Sequence, residues 1–370
     1  MSLAVENFSR ITELGLNGFD RLDAIYAENL PTDDELRIFG QYVLGKTALL
    51  PTPSSILERG EVLTNPSQIE TENILINGVL TTAPFAYFRQ EPTSFHLGKT
   101  KSVPYLLLRN DQDKVYLSEF TDAMTLPGED PRVIRGVRIA SPTGKVHSGW
   151  CISTVIATPK PENPADVQSI KQVFYWGERL NKLEAILEIA DLKNTCLFPL
   201  ANITNDESDT SMDIFGRPHP HITHSRVSSL THVTKELVMS GTNLTEGFLS
   251  PNIHAGVNAV KAVPGYPNLR ELDIHEAYAP VTTQGKILHY RLGRYGVDLV
   301  TGSLTPLGVI ATRADFPQAE AKPPENGVKD YHDVLYGSMG NPTLGMMVTG
   351  VSDRHVGLAK IIRASLGTRI

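Results

Sequence analysis

The chain has 370 residues, 41% hydrophobic and 20% charged, enough to bury a large core in one big domain or two ordinary ones. Its 34 basic and 41 acidic side chains leave a net charge of -7, which argues against a nucleic-acid binder. No apolar run is long enough to span a membrane, and Met1-Ser2-Leu3-Ala4-Val5-Glu6-Asn7 lacks the layout of a secretory signal, so a cytoplasmic location is expected.

The first sixty or so residues differ from the rest. Phe19, Leu22 and Tyr26 recur at helical spacing, as do Leu36, Phe39, Val43 and Leu44. Thr32-Asp33-Asp34-Glu35 is a capping-box pattern that opens the second helix, and Pro51 and Pro53 stop it. Residues 1–66 are therefore expected to form a helical extension, packed on the main domain or used to build a homo-oligomer; residues 67–370 form that domain. Gly40-Gln41-Tyr42-Val43-Leu44-Gly45-Lys46-Thr47 matches the phosphate-loop pattern letter for letter. That motif needs a strand before it and a long helix after it. A helical pattern precedes it here and prolines follow, so it is read as a decoy.

After residue 70 the texture is β. Short apolar runs recur, among them Tyr105–Leu108, Arg132–Ala140, Cys151–Thr158, Ile287–Leu292, Leu307–Thr312 and Leu344–Thr349, separated by Gly, Pro, Asn and Asp clusters. This spacing predicts an all-β closed architecture: a barrel, a sandwich or a propeller. Asn205–Asp213 and Ala319–Asn326 read as polar surface loops. Cys151 and Cys196, the only cysteines, read as buried thiols rather than a disulfide framework. Asn7-Phe8-Ser9, Asn202-Ile203-Thr204 and Asn243-Leu244-Thr245 fit the glycosylation pattern but have no secretory context. Trp150, Tyr175 and Trp176 are sugar platforms or, more commonly for such residues, core.

Gly128-Glu129-Asp130-Pro131-Arg132 carries the most chemistry. Gly128 permits a sharp turn and a close approach, and Pro131 restricts Asp130. Glu129 and Asp130 are adjacent like charges whose environments can separate their pKa values. Arg132 is suited to a two-point clamp on a carboxylate or phosphate. The plain alternative is a charged turn with an exposed ion pair. Arg217-Pro218-His219-Pro220-His221 groups further donors; with His224, the two histidines also resemble a zinc set, although no cysteine or acidic fourth ligand lies nearby in sequence. Arg313 and Asp315 are candidates for the substrate or for pairing with each other. Asp353-Arg354-His355, between two apolar runs, reads as a hairpin tip.

Taken in order, several segments resemble a known group. They are Thr82-Ala83-Pro84-Phe85, Gly128–Arg132, Phe174-Tyr175-Trp176-Gly177, Lys193–Pro199, Gly216-Arg217-Pro218, Gly256-Val257-Asn258, Ile310–Pro317 and Gly350–His355. The set is similar to the β-1,2-mannosyltransferase/phosphorylases of glycosyltransferase family 108 and, more distantly, to the mannoside phosphorylases of glycoside hydrolase family 130. It covers roughly the last three hundred residues. The resemblance implies a five-bladed β-propeller with a sugar site in its axial funnel. It makes Asp130 the general acid, acting through a mannose hydroxyl, and Asp353 the acceptor for mannose hydroxyls. It puts Lys193 and Arg217 at the phosphate. Glu129, Arg132, Asn258, Arg313 and Asp315 join the candidate substrate contacts. This chain departs from the phosphorylases in carrying Asn194 for aspartate and Gly216 for histidine, a loss that His219 or His221 would make good.

The resulting expectation is an inverting β-1,2-mannoside phosphorylase or mannosyltransferase, with a small oligosaccharide and phosphate or mannose 1-phosphate as substrates and no metal or other cofactor. A GDP-mannose donor, the same chemistry on another hexoside, an inverting hydrolase and a non-catalytic glycan-binding propeller remain as alternatives.

Overall fold

The computed structural model describes residues 17–39, 41–76, 78–93, 98–162, 167–246, 249, 253–279, 281–282, 285–323, 328–337, 340–341 and 343–364. The readings made on residues 1–16, including Asn7, on Gly40 and on residues 324–326 lie outside them. Five small sheets follow one another along the chain as the blades of a five-bladed β-propeller.

Blade 1 is built on the 14-residue strand Val79–Pro92. Glu61–Thr64 and Glu70–Ile76 share one of its edges, and Lys101–Arg109 pairs with the other. Blade 2 is the simple meander Glu129–Ala140, Val146–Pro159, Val167–Gly177 and Glu184–Ala190. Blade 3 is smaller: Cys196–Pro199, Met212–Gly216, Thr223–Val227 and Thr242–Asn243. Blade 4 contains Ile253–Val263, Tyr266–Tyr278 and Gly285–Asp298, flanked by Ser303–Ala311 and by Val328–Asp333, which pairs in parallel. Blade 5 takes Leu335–Gly337, Met346–Val351 and His355–Ala364 from the end of the chain and Gln41–Leu50 from its beginning.

Both faces of a blade are covered, which is why many strands read as apolar runs rather than alternating ones. In Val79–Pro92, Phe85 and Tyr87 pack with Val133, Trp150, Ile152 and Tyr175 of blade 2. The intervening Ala86 and Phe88 pack with Leu50, Met346, Val348 and Val356 of blade 5. This is the two-residue period of a strand applied to two neighbours at once. Trp150 and Tyr175 are thus core residues, and half-buried Trp176 donates to the Val137 carbonyl (3.0 Å). Cys151 and Cys196 are buried free thiols. Among the described residues no helix is long and apolar enough to cross a membrane.

Polar pins join the blades. Arg270 of blade 4 reaches Asp213 of blade 3 (2.6 and 3.1 Å), both side chains fully buried. Arg226 and His224 share that carboxylate.

The amino-terminal segment forms two helices, α1 (Asn17–Glu28) and α2 (Asp33–Phe39). The capping box is present: Glu35 Oε2 accepts from the Thr32 amide (2.8 Å), and Thr32 Oγ1 accepts from the Glu35 amide (3.2 Å). Helix α1 lays Phe19, Leu22 and Tyr26 on blades 3 and 4. Tyr26 donates to Glu276 (2.6 Å), and Arg291 pairs with Asp23 (2.6 Å) under the Phe19 ring. Its apolar face is therefore used within the chain. Leu22→Ala should cost about 2–5 kcal/mol, read as a lower midpoint in denaturant unfolding; an unchanged midpoint would mean the helix is not docked.

The helical reading does not extend to Val43 and Leu44. Gln41–Leu50 is a strand paired antiparallel to His355–Ala364, and Glu61–Thr64 belongs to blade 1, so the extension ends well before residue 66. Tyr42, Leu44 and Leu49 gain a core only by joining blade 5, a tertiary contact that overrides local periodicity. Residues 41–47 of the phosphate-loop pattern therefore lie on a blade-edge strand.

Candidate active site

Strands and turns of blades 1, 2 and 5 bring charged side chains from distant parts of the chain to one place. At the start of blade 2, Gly128 has φ +98°, and a Cβ there would lie 2.6 Å from the Val155 carbonyl oxygen. The next turn residue but one, Asp130, has φ +51°. Ser352 and Asp353, at φ +54° and +51°, form the tip between the last two strands, closed by the Arg354 amide donating to Val351 (3.2 Å). Left-handed backbone at non-glycine residues costs of order 1–3 kcal/mol each and persists where surroundings over-determine it. Both sequence-assigned acids sit in this region.

What joins them is Arg89, which the sequence reading did not single out. Its buried guanidinium donates to Glu91 Oε2 (2.9 and 2.7 Å) and to Asp353 Oδ2 (3.2 Å). Glu129 Oε2 and Asp130 Oδ1 each lie 3.7 Å from its Nη1. Asn65 donates to Asp130 Oδ1 (3.3 Å) and also hydrogen-bonds Asp353. Lys322 adds a second cation, 3.2 Å from Glu91 and 3.6 Å from Asp353. Blades 1, 2 and 5 thus contribute four carboxylates around one guanidinium. The available signal was Arg89-Gln90-Glu91, a charged run directly after the buried apolar stretch Phe85–Phe88.

Electrostatics separate the carboxylates. Burial pushes Glu129 up to about 7, assisted by Asp130 and Glu91 and opposed by Arg89 and Lys193. Burial also acts to raise Asp353, but Arg89, Lys322 and Asn65 outweigh it and hold that carboxyl below its ordinary value. A carboxylate kept ionised is a hydrogen-bond acceptor only, which suits it to sugar hydroxyls.

The cationic side faces blades 3 and 4. Lys193 is exposed and close enough for its charge to act on Glu129. Arg217 is half-buried over Gly256, where a Cβ would sit 3.1 Å from its Cδ. Burial lowers the Arg217 pKa, and the charge of Arg132 beside it pushes the same way. A side chain at Gly216 would meet Val238 at 2.5 Å and Thr223 at 2.7 Å, so the histidine of the related pattern has no room here. His221 is half-buried, and its Nδ1 is buried without a hydrogen-bond partner; His219 is exposed. His224 is engaged with Asp213 (3.1 Å), which removes it from any zinc set with those two.

Other candidates take different places. Arg132 is buried and bonds Val257 O (3.2 Å), Asp130 O (3.1 Å), Asn194 Oδ1 (3.0 Å) and Tyr336 Oη (3.4 Å). It pins four blades at the axis, with its donors engaged by the protein rather than held open as a clamp. Asn194 accepts that guanidinium as a neutral group, leaving the Arg132 charge uncompensated at this contact, which favours a nearby anion. Asn258, expected at the substrate, is instead a latch: it donates to the Gly337 carbonyl of blade 5 and meets His275 Nδ1 (2.9 Å). His275 is stacked between Tyr290 and Tyr336. Asp315 is exposed and caps its own 3-10 turn through Thr312 (2.7 and 3.0 Å), too short-range a task to reach substrate. Arg313 pairs not with Asp315 but with Ser352 Oγ (2.8 Å), behind Asp353.

No protein-family model matches the chain, and no curated protein matches its sequence. Solved structures do match. The GDP-Man-dependent mannosyltransferase MPT-1 from Leishmania mexicana superposes with TM-score 0.65 at 17% identity, over 88% of this chain and 92% of that one. The mannose phosphorylase MPT-4 from the same organism, in complex with phosphate ion, gives TM-score 0.65 at 15% identity, over 93% and 92%. A hypothetical protein from Leishmania major gives 0.63 at 15%, over 94% and 96%. At these identities the likeness establishes a shared fold, the five-bladed propeller.

Proposed function

We propose that this chain transfers a β-linked mannosyl unit between a β-1,2-mannoside and inorganic phosphate with inversion, giving mannose 1-phosphate in one direction and consuming it in the other. The observation that carries the reading is the meeting of Asp130 and Asp353 on Arg89, with Asn65 between them and Lys193 and Arg217 nearby. Likeness in fold to a mannosyltransferase and to a phosphate-bound mannose phosphorylase supports it.

In this reading Asp353 accepts hydrogen bonds from mannose hydroxyls and fixes the ring. Asp130 passes its proton through a mannose hydroxyl to the glycosidic oxygen as the C1–O bond breaks. A phosphate oxygen forms the new C1–O bond from the opposite face. Phosphate arrives already ionised, so no second carboxylate is needed as a base; a hydrolase would need one about 6.5–9.5 Å from the acid. Lys193 and Arg217, with His221 and His219 at the mouth, hold the phosphate and stabilise it as the leaving anion in the reverse direction. The proposed setting is cytoplasmic, with small oligosaccharides as substrates and no cofactor beyond the phosphate co-substrate.

Incubation with β-1,2-mannobiose, with and without inorganic phosphate, tests this directly. Mannose 1-phosphate should form only when phosphate is present. Free mannose in its absence would point to an inverting hydrolase. Binding of the disaccharide with no product under either condition would leave a glycan-binding propeller, and product only from GDP-mannose would replace the donor.

A further inference from the structure

Residues 313–323, the last five of them expected as part of a polar surface loop, cross from blade 4 and lie along the Ser352-Asp353 tip of blade 5. Contacts hold them there at several points. Arg313 Nε donates to Ser352 Oγ (2.8 Å), and Phe316 is buried in the core beside Leu335, Met347 and Val351. The Glu320 carbonyl lies 2.9 Å from His355 Nε2, and the Glu320 carboxylate lies 3.1 Å from Arg354. The Lys322 amide donates to the Ser352 carbonyl (3.0 Å). Ala321 is buried with Tyr331 and Val334, so Lys322 enters the site from a fixed base. Its side chain is only 9% exposed and runs past the Tyr331 ring to Glu91 and Asp353.

Resting on the reading of Asp353 as the acceptor for sugar hydroxyls, we propose that this segment is a strap and that Lys322 is a positioning residue, balancing the charge of Asp353 and holding it aimed at the sugar. The tip turns through two successive residues in left-handed backbone and is closed by its own Arg354-to-Val351 hydrogen bond, and the strap adds the contacts of Arg313, Glu320 and Lys322 to it. Arg89 Nη2 faces both Glu91 and Asp353, and even with Asp130 protonated as the acid and Glu129 raised by burial, one guanidinium does not balance those two carboxylates. Lys322 supplies the missing charge where Glu91 and Asp353 converge. The groups acting on Asp353 are Arg89 and Glu91 of blade 1, Asn65 beside it, Lys322 from the strap and Tyr290 of blade 4, with Glu129 and Asp130 coupled through Arg89. The depressed pKa of Asp353 agrees with this arrangement.

The test uses the full chain as Lys322→Met and Lys322→Arg, each first shown to keep the wild-type unfolding midpoint to within a few degrees. The Asp353 carboxyl is followed by carbon-13 NMR titration, its signal assigned by its loss in Asp353→Asn. In Lys322→Met its titration should move upward by about one unit or more, and Lys322→Arg should restore it. In phosphorolysis, Lys322→Met should raise KM for the mannoside about tenfold while KM for phosphate stays put. An Asp353 titration that ignores Lys322→Met, or equal losses in the Met and Arg variants, overturns the strap as a positioning device. A wild type without phosphorolysis but with the expected titration shift would instead remove the proposed function and leave the charge coupling intact.

Discussion

Asp130→Asn should lower phosphorolysis of β-1,2-mannobiose by about 10²–10⁴-fold, the usual contribution of a general acid, with KM for the disaccharide nearly unchanged. Asparagine is the informative replacement. It keeps the shape and the contact with Asn65, and it tolerates the left-handed backbone at φ +51° that a larger or branched residue would strain. Alanine would mix loss of the acid with relaxation of the turn, so a fall seen only with alanine would not count for the acid. The charge change also reaches Arg89, from which Asp130 is 3.7 Å away, but three other carboxylates still face that guanidinium. The variant should therefore fold as the wild type does and bind the sugar. Turnover within threefold of wild type would remove Asp130 from the chemistry.

The largest effect on stability is expected at Asp213. Removing it in Asp213→Ala strands Arg270, fully buried at the joint of blades 3 and 4, without its carboxylate. Breaking a buried pair in this way costs about 3–5 kcal/mol, whereas replacing both partners with apolar groups of similar volume is often neutral. Urea unfolding of Asp213→Ala, Arg270→Met and a combined Asp213→Leu/Arg270→Met variant checks both halves. The double variant should recover most of the loss, and strict additivity would refute the pairing. The pH dependence has a definite sign. Burial acts to raise the Asp213 pKa, but His224, Arg270 and Arg226 outweigh it, so the folded value lies below the ordinary 3.8. Its stabilisation is complete above that ordinary value and is lost as pH falls below it through the folded pKa.

The blade texture was legible because strands covered on both faces announce themselves as apolar runs between turn residues. The five-fold arrangement was not, since blades differ in strand number and the chain has no regular repeat; it came from the ordered resemblance. Glu129 and Asp130 were singled out because unusual turn chemistry carries them, and Asp353 because of the ordered resemblance; the structure brings all three to Arg89. Arg89 and Lys322 were missed for opposite reasons: one hides at the end of an apolar strand, the other in a stretch that looks like a solvated loop. Arg132 was singled out for its guanidinium and Asn258 came with the resemblance; the structure uses both as polar pins between blades. The strand Gln41–Leu50 could not be recognised locally, because the strand it pairs with among the described residues is near the other end of the chain.

That last pairing sets an order of events during synthesis. Gln41–Leu50 emerges from the ribosome when almost none of its blade exists, and its edge must wait, unpaired, until His355–Ala364 follows. Exposed strand edges invite pairing with other chains; just before this strand, the Phe39 carbonyl of α2 accepts from Arg294 of blade 4 and ties the segment to that blade. Asp353 and Tyr336 are carried by the same final blade. A nascent or prematurely terminated chain lacking it holds Arg89 and Asp130 without their counterparts. The cluster around Arg89 is thus complete only when blade 5 has closed.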